Sequence, residues 1–315
     1  MIGKDIKYAA DLLRKGEVVA IPTETVYGLG GNALNLEAVA KIFSVKQRPS
    51  FDPLIIHLGS FEQIGDYVAS IPQPLQQLAE TFMPGPLTLL LEKKDRIADL
   101  VTAGSPYVAV RIPAHPITQE LLKSLNFPVA APSANPFGYI SPTTPQHVEK
   151  QLGARIPYIL DGGPSAIGLE STIVGLENGR ITIFRKGGIA IEAIEQLVGK
   201  VEVKAHSSSN PKAPGMLKSH YAPKIKLVIG RLEDQLAKHQ KDRIGLINFN
   251  HFYQSIPKEH QVQLSLSRNF REAAQHLFAA LRYLDELDLD IIVAELLPEQ
   301  DLGRAINDRL RRAAA

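Results

Sequence analysis

Hydrophobic residues in this chain change between helical and strand-like spacing from its start. Residues 6–15 carry apolar side chains at helical spacing, and Gly16 ends that run. Residues 36–46 have the same spacing, with Asn35 as the predicted N-cap. Short apolar runs between them predict strands in EVVAIPT (17–23), PLIIHL (53–58), LTLLLE (87–92), YVAVRIP (107–113), the start of FPVAAPSAN (127–135), PYILDGG (157–163), STIVGLE (171–177) and RITIFRKG (180–187). Such a mixture favours an α/β fold with a twisted mixed sheet.

The pattern stops after residue 203 and then begins again. Residues 204–224 are rich in Ser, Pro and Gly and have no periodicity, which predicts a linker. Beyond it, strands are predicted in KIKLVIG (224–230), RIGLINF (243–249) and DIIVAELL (290–297), with helices at 270–287 and 303–314. We therefore predict a first domain at 1–203, a linker at 204–224 and a smaller Rossmann-like α/β domain at 225–315.

Composition excludes several classes of protein. The chain has 315 residues, of which 44% are hydrophobic and 22% charged, as is ordinary for a globular protein. A net charge of +2 means that any basic site must come from local clustering. The absence of cysteine excludes disulfides and a thiolate nucleophile. No apolar run approaches the roughly 18 residues of a membrane helix, and the N-terminus lacks a signal-peptide core, so we expect a cytoplasmic protein.

The glycine-rich segment YGLGGNA (27–33) follows a predicted strand. Gly28, Gly30 and Ala33 fit a dinucleotide-binding fingerprint loosely. A helix should open at these glycines, yet the helical spacing begins only near Leu36. The sequence favours a tight turn with positive φ over a phosphate-binding loop.

Lys46 and Arg48 stand two residues apart before a predicted strand. If the chain is extended there, the two side chains point the same way and could hold one polyphosphate. Pro49 disfavours a helical conformation at Arg48, which supports that interpretation. The alternative is that Lys46 only occupies the C-terminal end of a helix.

Other polar residues follow predicted strands elsewhere in the chain. Arg111 lies within an apolar strand and needs a partner, and Arg185 and Lys186 end another. The segment after residue 130 contains the hydroxyls and amides expected at a ligand site of an α/β sheet: Ser133, Asn135, Ser141 and Thr143. Together these residues predict a converging pocket for an anion. No histidine cluster with metal-ligand spacing and no G-x-S-x-G motif is present, so phosphoryl or nucleotidyl transfer by positioning and charge is the favoured chemistry.

Several motifs occur together in the order of a known family. They are PTETVYGLG, KQRP followed by PLIIH, VAVRIP, APSAN, GLESTIV and IFRKG in the first domain, and APGMLKSHYAP and LDIIVAELLPEQDLGRAINDRLRRAA beyond it. The chain resembles the threonylcarbamoyl-AMP synthase family, with its YrdC-like catalytic domain, in the longer subtype that has a C-terminal domain.

The resemblance implies a reaction and a set of site residues. L-Threonine, bicarbonate or carbon dioxide, and ATP with Mg²⁺ would give threonylcarbamoyl-AMP and pyrophosphate, and a separate transferase would place the threonylcarbamoyl group on tRNA. The implied threonine-binding residues are Thr25, His57, Arg111, Ala131 and Ser171. The implied ATP-binding residues are Lys46, Arg48, Asp52, Tyr107, Ser133, Asn135, Ser141, Arg185 and Tyr221, and no tightly bound metal is expected.

Several alternatives remain open at the level of sequence. The linker, with Lys218, His220 and Tyr221, is either a lid over the site or an inert tether. Ser171 and Thr172 are both candidates to face threonine. The cationic pocket could also bind RNA, although no stripe of basic and aromatic residues supports an RNA-binding module. A carbamoyltransferase-type enzyme is the third alternative.

Overall fold

The chain forms two sheets in the residues that the structure, a computed structural model, describes: 1–204, 213–216, 220–239 and 243–315. A large mixed sheet with its helices extends from Ile2 to Val203, and a smaller parallel sheet follows. The predicted α/β fold of a mixed-sheet domain and a smaller parallel α/β domain is confirmed.

The large sheet has eleven strands in the described part of the chain. They are β1 (Ile2–Gly3), β2 (Val19–Ile21), β3 (Gly28–Asn32), β4 (Ile55–His57), β5 (Leu87–Glu92), β6 (Tyr107–Arg111), β7 (Val129–Ala130), β8 (Tyr158–Leu160), β9 (Thr172–Glu177), β10 (Arg180–Arg185) and β11 (Glu202–Val203). The helices are α1 (Ile6–Arg14), α2 (Leu36–Lys46), α3 (Gln73–Phe82), α4 (Asp99–Thr102), α5 (Pro116–Lys123), α6 (Pro145–Leu152) and α7 (Ile191–Val198), with a 3₁₀ helix at Glu62–Asp66.

The strand order brings distant parts of the chain together. The order is β1-β8-β2-β3-β7-β4-β6-β5-β9-β10-β11. Strand β6 is parallel to β4 and antiparallel to β5, and β10 is antiparallel to β9. Arg111 and Arg185 are the last residues of β6 and β10, so the sheet presents two cations from segments 74 positions apart in sequence (185 minus 111).

The glycine-rich segment is a strand, and the predicted positive-φ turn is wrong. Gly28, Gly30 and Gly31 lie in β3, outside the left-handed region. A Cβ on Gly30 would lie 2.9 Å from Cγ1 of Val129, and one on Gly31 would lie 3.0 Å from Cδ1 of Ile42. Close packing of β3 against its neighbours, and not turn geometry, therefore explains these glycines.

The first sheet ends at Val203 and the second begins at Lys226, on either side of the predicted linker. The second sheet contains, in its described residues, four parallel strands in the order β12-β15-β13-β14: β12 (Lys226–Ile229), β13 (Ile244–Asn248), β14 (Gln261–Gln263) and β15 (Ile291–Ala294). Its helices are α8 (Leu232–Leu236), α9 (Phe270–Leu284) and α10 (Gly303–Ala313), with a 3₁₀ helix at Lys258–His260. Helices α9 and α10 end three residues and one residue before the predicted positions.

The two domains share one apolar core. Val26, Ile140 and Leu169 of the first domain pack in the same cluster as Phe278 of α9 and Ile306 of α10. All five are buried, so separating the domains would expose apolar surface on both. Among the described residues, no helix has the length and apolar character needed to cross a bilayer.

Candidate active site

A cavity lies against one face of the mixed sheet, beneath the described part of the linker. Ala213 and Met216 of the linker pack on the same face, against apolar side chains of β4, β5, β6, β9 and β10. The cavity encloses about 50 Å³. It is lined by Thr25, Val26, Arg48, Pro53, Leu54, Ile55, Arg111, Ala131, Pro132, Ser133, Glu170, Ser171, Arg185, Pro214, Gly215, His220 and Tyr221.

Four of the five residues implied for threonine line this cavity: Thr25, Arg111, Ala131 and Ser171. The Oγ1 atom of Thr25 is 2.8 Å from that of Thr23, and both side chains are buried. The Oγ of Ser171 lies 2.7 Å from Oγ1 of Thr88 and accepts a bond from Arg185. The hydroxyl of Thr172 instead donates to the carbonyl of Ile189 and accepts a bond from the N–H of Ile189. Ser171 is therefore the residue of the pair that faces the cavity.

Arg111 reaches the cavity from the end of β6 and is paired there. Its Nη2 donates to Oε1 of Glu24 at 2.7 Å, and its Nε donates to the carbonyl of Gly85 at 3.2 Å. The other carboxylate oxygen of Glu24 is buried and makes no hydrogen bond to the described residues. A buried guanidinium with a single acidic partner keeps further N–H groups for a second carboxylate.

His57 lies in β4, two residues from the cavity-lining Ile55, and is buried without lining the cavity itself. Burial, followed by the charge of Arg111, lowers the pKa of His57 to about 3. The imidazole is therefore neutral at pH 7. It can serve as a hydrogen-bonding group but does not add to the positive charge of the site.

Two buried histidines, His57 and His220, make the stability of the fold depend on pH. We expect the free energy of unfolding to fall between pH 7 and pH 5. Burial also lowers the pKa of His220 well below 6.5. Below pH 6.5 the unfolded chain binds protons that folded His57 and His220 do not bind, so both histidines lower the stability as the pH falls. For His57 the loss should be about 2 kcal/mol at pH 5. Urea unfolding at the two pH values measures this loss. His57→Gln should remove about 2 kcal/mol of it, and an unchanged pH dependence in that variant would contradict the assignment.

Arg48 lines the cavity beside a buried acid. Its Nη2 lies 2.8 Å from Oδ2 of Asp52, and its guanidinium also donates to the carbonyls of Asp52 and Pro53. Asp52 is fully buried behind Arg48 and does not line the cavity. Asp52 therefore orients Arg48 and offsets its charge.

Lys46 is placed differently from the extended arrangement predicted for it. Helix α2 continues through Lys46, and Gln47 adopts the left-handed conformation (φ 53°) that ends the helix. The side chain is 1% exposed, and its Nζ donates to the carbonyls of Ser133 and Asn135. Burial, followed by the charge of Arg48, lowers the pKa of Lys46 well below its ordinary value. Lys46 thus holds the loop that contains Ser133 and Asn135, here called the S-x-N loop, and lies behind the cavity wall.

Arg185 lines the cavity and bonds both Ser171 and the linker. Its Nε donates to the carbonyl of Ser171 and its Nη2 to the hydroxyl of the same residue. Its Nη1 donates to the carbonyl of Pro214 in the linker, at 3.2 Å. Burial lowers the pKa of Arg185 to about 10, although nearby Tyr221 and Glu170 oppose this effect. The arginine joins the catalytic-domain wall to the linker.

The remaining residues predicted to bind ATP lie in three different positions relative to the cavity. Ser133 and Tyr221 line the cavity. Asn135 and Ser141 are buried directly behind it, and Oδ1 of Asn135 makes no hydrogen bond to the described residues. Tyr107 does not line the cavity, because it lies at the opposite end of β6 from Arg111 and is 42% exposed. Four steps along the strand separate the Cα atoms of Tyr107 and Arg111 by roughly 13 Å.

Two acids complete the site and were not among the predicted site residues. Glu24 pairs with Arg111, and Glu170 lines the cavity near Arg185. Glu24 lies in the motif PTETVYGLG, and Glu170 lies in the motif GLESTIV. An acid inside an apolar motif is a signal that could have identified them, since buried acids require cationic partners. The pocket is therefore charge-compensated, and not simply cationic as predicted.

Two family models match successive parts of the chain. A family model that covers Sua5, YciO and YrdC proteins, described as "Telomere recombination", matches residues 11–187. A second, "Threonylcarbamoyl-AMP synthase, C-terminal domain", matches residues 189–315. Threonylcarbamoyl-AMP synthase of Pyrococcus abyssi is 39% identical over 324 residues, covering 98% of this chain and 94% of the relative. The enzyme of that name from Bacillus subtilis is 40% identical over 320 residues, covering 98% and 92%.

A solved structure agrees over the whole chain. The crystal structure of P. abyssi Sua5 complexed with L-threonine matches with a TM-score of 0.92 and 38% identity, covering 100% of this chain and 97% of that one. Fold and site define a two-domain α/β enzyme with a buried, arginine-lined cavity. The chain belongs to the threonylcarbamoyl-AMP synthase family, and the resemblance recognised from its motifs is confirmed.

Proposed function

We propose that this chain condenses L-threonine, carbon dioxide or bicarbonate, and ATP into threonylcarbamoyl-AMP and pyrophosphate. One observation carries the proposal. Arg48, Arg111 and Arg185 come from three separate segments and line one cavity, where hydroxyl groups lie between them. Such a site can hold a carboxylate and a polyphosphate together, as this reaction requires.

Threonine binds, in this proposal, at the end of β6. Arg111 holds the carboxylate and Thr25 recognises the hydroxyl group, with neutral His57 buried behind the cavity wall. Ser171 and the backbone at Ala131 complete the wall. A buried contact to the threonine hydroxyl would discriminate strongly against valine, which lacks that group and would leave the site's polar atoms unpaired.

The nucleotide occupies the other part of the cavity. Arg48 and Arg185 contact the phosphates, with Ser133 and Asn135 beside them and Tyr221 above. Lys46, Asp52 and Ser141 support these contacts from behind. Lys46 donates to the carbonyl of Ser133, Asp52 pairs with Arg48, and the hydroxyl of Ser141 donates to Glu170. Further polar atoms are available to a ligand here, among them the unpaired Oδ1 of Asn135.

The chemistry needs only groups that this arrangement supplies. The threonine amine attacks carbon dioxide and loses a proton, which gives a carbamate. A carbamate oxygen then attacks the α-phosphorus, and the bond from that phosphorus to the bridging oxygen of pyrophosphate breaks. Two anions must meet, so fixed cations and exclusion of water contribute most of the rate.

Mg²⁺ would enter with ATP and not at a protein site of its own. Among the described residues, no group of three or more His, Asp or Glu side chains is placed to hold a metal ion. Mg²⁺ is commonly held by phosphate oxygens, water and one or two carboxylates, and Glu170 is an acid that lines the cavity. When bound, it would offset charge on the triphosphate.

The linker acts as a lid in this proposal. About 50 Å³ is far below the roughly 300–1,000 Å³ of a small-molecule pocket, so the linker must move before ATP can enter. Ala213 and Met216 are buried against the sheet, which an inert tether would not require. Closure protects the product threonylcarbamoyl-AMP, which is a mixed anhydride, from hydrolysis by water. Lys218, part of the predicted lid, lies outside the described residues.

The product leaves to a partner enzyme. We propose that a separate transferase passes the threonylcarbamoyl group to an adenosine of tRNA, in the cytoplasm. Threonylcarbamoyl-AMP is an activated acyl donor, so a nucleophilic amine on the acceptor completes the transfer with loss of AMP. RNA binding by this chain itself is not required for that sequence.

Pyrophosphate release from ATP, measured with and without L-threonine and bicarbonate, tests the proposal. We expect release only when both co-substrates are present. Arg48→Ala should raise the KM for ATP about 30-fold, as expected for the loss of one charge-assisted contact of about 2 kcal/mol. Lys46→Ala should also weaken ATP binding, because the S-x-N loop loses its anchor.

Arg180→Ala is the matched control, since its side chain is 74% exposed and distant from the cavity wall. It should behave as the wild type. Release indifferent to threonine would overturn the proposal. Salt-dependent RNA binding without turnover would then favour the RNA-binding alternative, and dependence on carbamoyl phosphate would favour a carbamoyltransferase.

A further inference from the structure

Arg309, on the last helix of the C-terminal domain, is fully buried beside the catalytic cavity. Its side chain is 0% exposed. Its Nε donates to Oε2 of Glu170 at 2.9 Å, and its Nη2 donates to the carbonyl of Lys186 at 2.8 Å. Its Nη1 donates to Oδ2 of Asp308 at 2.7 Å. The guanidinium thus bonds two segments of the first domain, although it belongs to the second.

Glu170, the first partner of Arg309, is part of the cavity wall. Its Oε1 accepts a bond from the hydroxyl of Ser141 at 2.6 Å. Burial alone would raise the pKa of Glu170, but the charges of Arg309 and Arg185 and the bond from Ser141 hold it below the ordinary value. Glu170 therefore remains charged, and Arg309 determines where that charge lies relative to Arg185.

Tyr221, the second partner, belongs to the linker side of the cavity. The guanidinium carbon of Arg309 lies 5.2 Å from the ring centroid of Tyr221, and that of Arg312 lies 4.8 Å from it. The ring of Phe278 stacks on the same tyrosine at 5.4 Å. Tyr221 has φ 68°, a left-handed conformation that surrounding contacts must maintain. Three side chains of the C-terminal domain therefore surround one residue of the linker.

Arg309 connects the first domain with the linker, because it contacts both Glu170 and Tyr221. A buried guanidinium is expensive to desolvate, and apolar residues of similar volume commonly stabilise a core as well or better. A site chosen for stability alone would not require it. Its five donors in a fixed plane can instead orient a carboxylate, a carbonyl and an aromatic ring together.

We propose that Arg309 is a positioning residue for the reaction: it fixes Glu170 on the catalytic-domain wall and Tyr221 on the linker wall in one geometry. The C-terminal domain thereby completes the active site without contacting substrate. This inference rests on the proposed function for its kinetic consequence. It also implies that ATP binds with full affinity only when Arg309 is present, and this can be tested separately.

The test compares Arg309→Met with the double variant Arg309→Met/Glu170→Gln. Methionine retains volume and removes the charge and the donors, and the second change removes the unpaired carboxylate that the first would leave buried. We expect the double variant to recover stability to urea. It should still show a kcat about 20-fold below wild type and a tenfold weaker affinity for a non-hydrolysable ATP analogue, as displacement of an aligned group predicts. Arg309→Lys, which retains the charge, should recover part of both.

Arg311→Met is the matched control on the same helix, because Arg311 is 46% exposed and pairs with Glu299. It should match the wild type. If the double variant regains kcat and ATP-analogue affinity together with stability, Arg309 only neutralises Glu170 and the inference is wrong. If wild type binds the analogue but releases no pyrophosphate with threonine, the proposed function fails, and the affinities alone decide the role of Arg309. A wild type that does not bind the analogue overturns both.

Discussion

Replacing Arg111 with glutamine is expected to lower kcat/KM for L-threonine about 1,000-fold, mainly through KM, because two charge-assisted bonds of about 2 kcal/mol each are lost. Arg111 is 4% exposed at the end of β6, and Glu24 occupies only part of its guanidinium. The KM for ATP should not change, since the residues that we propose for the phosphates are Arg48 and Arg185. Threonine titration of pyrophosphate release at saturating ATP and bicarbonate measures the effect.

Stability must be separated from substrate binding in this experiment. Removing Arg111 alone leaves the carboxylate of Glu24 buried without its partner, which should destabilise the fold by about 3–5 kcal/mol. The double variant Arg111→Gln/Glu24→Gln removes both charges and should recover most of that loss in urea unfolding. It should not recover threonine affinity. If it does, Arg111 serves only to neutralise Glu24, and the carboxylate of threonine binds elsewhere.

Much of the site could be predicted because buried charge is rare. Arg111 and Arg185 stand out within apolar strands, and such residues need partners in any fold. The motifs then supplied the resemblance that named the substrates. What a single sequence does not contain is the partner itself. Glu24 lies 87 positions before Arg111, and only the closed sheet shows that they form a pair.

Some predictions were wrong because tertiary packing determined the local structure, and short-range sequence rules did not. Glycines commonly indicate turns, yet those of β3 make room for Val129 and Ile42. Pro49 disfavours helix only at the residue before it, so helix α2 could continue to Lys46. Helices α3, α5 and α6 were not predicted, although each has proline in its first turn, a recognised start signal. That signal is present in all three segments, so these helices could have been predicted from sequence.

The C-terminal domain also illustrates what sequence cannot give. Its periodicity predicts an α/β domain behind a linker, and nothing in that pattern places α10 beside the catalytic cavity. The shared core of Val26, Leu169 and Phe278 brings it there. Deleting residues 204–315 to test the lid would therefore also expose this core. A single substitution in the linker is the cleaner test.

Replacing Gly215 with valine is expected to reduce kcat about 100-fold, because a displacement of about 1 Å at a reacting centre costs that much. Gly215 has φ +74°, and a Cβ there would lie 3.0 Å from Nη1 of Arg185. A branched side chain must push the linker away from Arg185, or Arg185 away from the phosphates. Water would then reach the mixed anhydride, so less intact threonylcarbamoyl-AMP should be recovered for each pyrophosphate released. Chromatography of the nucleotide products measures that ratio.

Gly179→Val separates backbone strain from linker closure. Gly179 has nearly the same conformation, φ +75°, in the turn between β9 and β10, and a Cβ there would meet no atom within 4 Å beyond its chain neighbours. Both substitutions carry the strain of a β-branched residue in the left-handed region, and only Gly215→Val meets Arg185. Equal losses in the two variants would mean that strain alone lowers activity. A loss confined to Gly215→Val, together with a lower ratio of product to pyrophosphate, would mean that contact between the linker and Arg185 keeps water from the product.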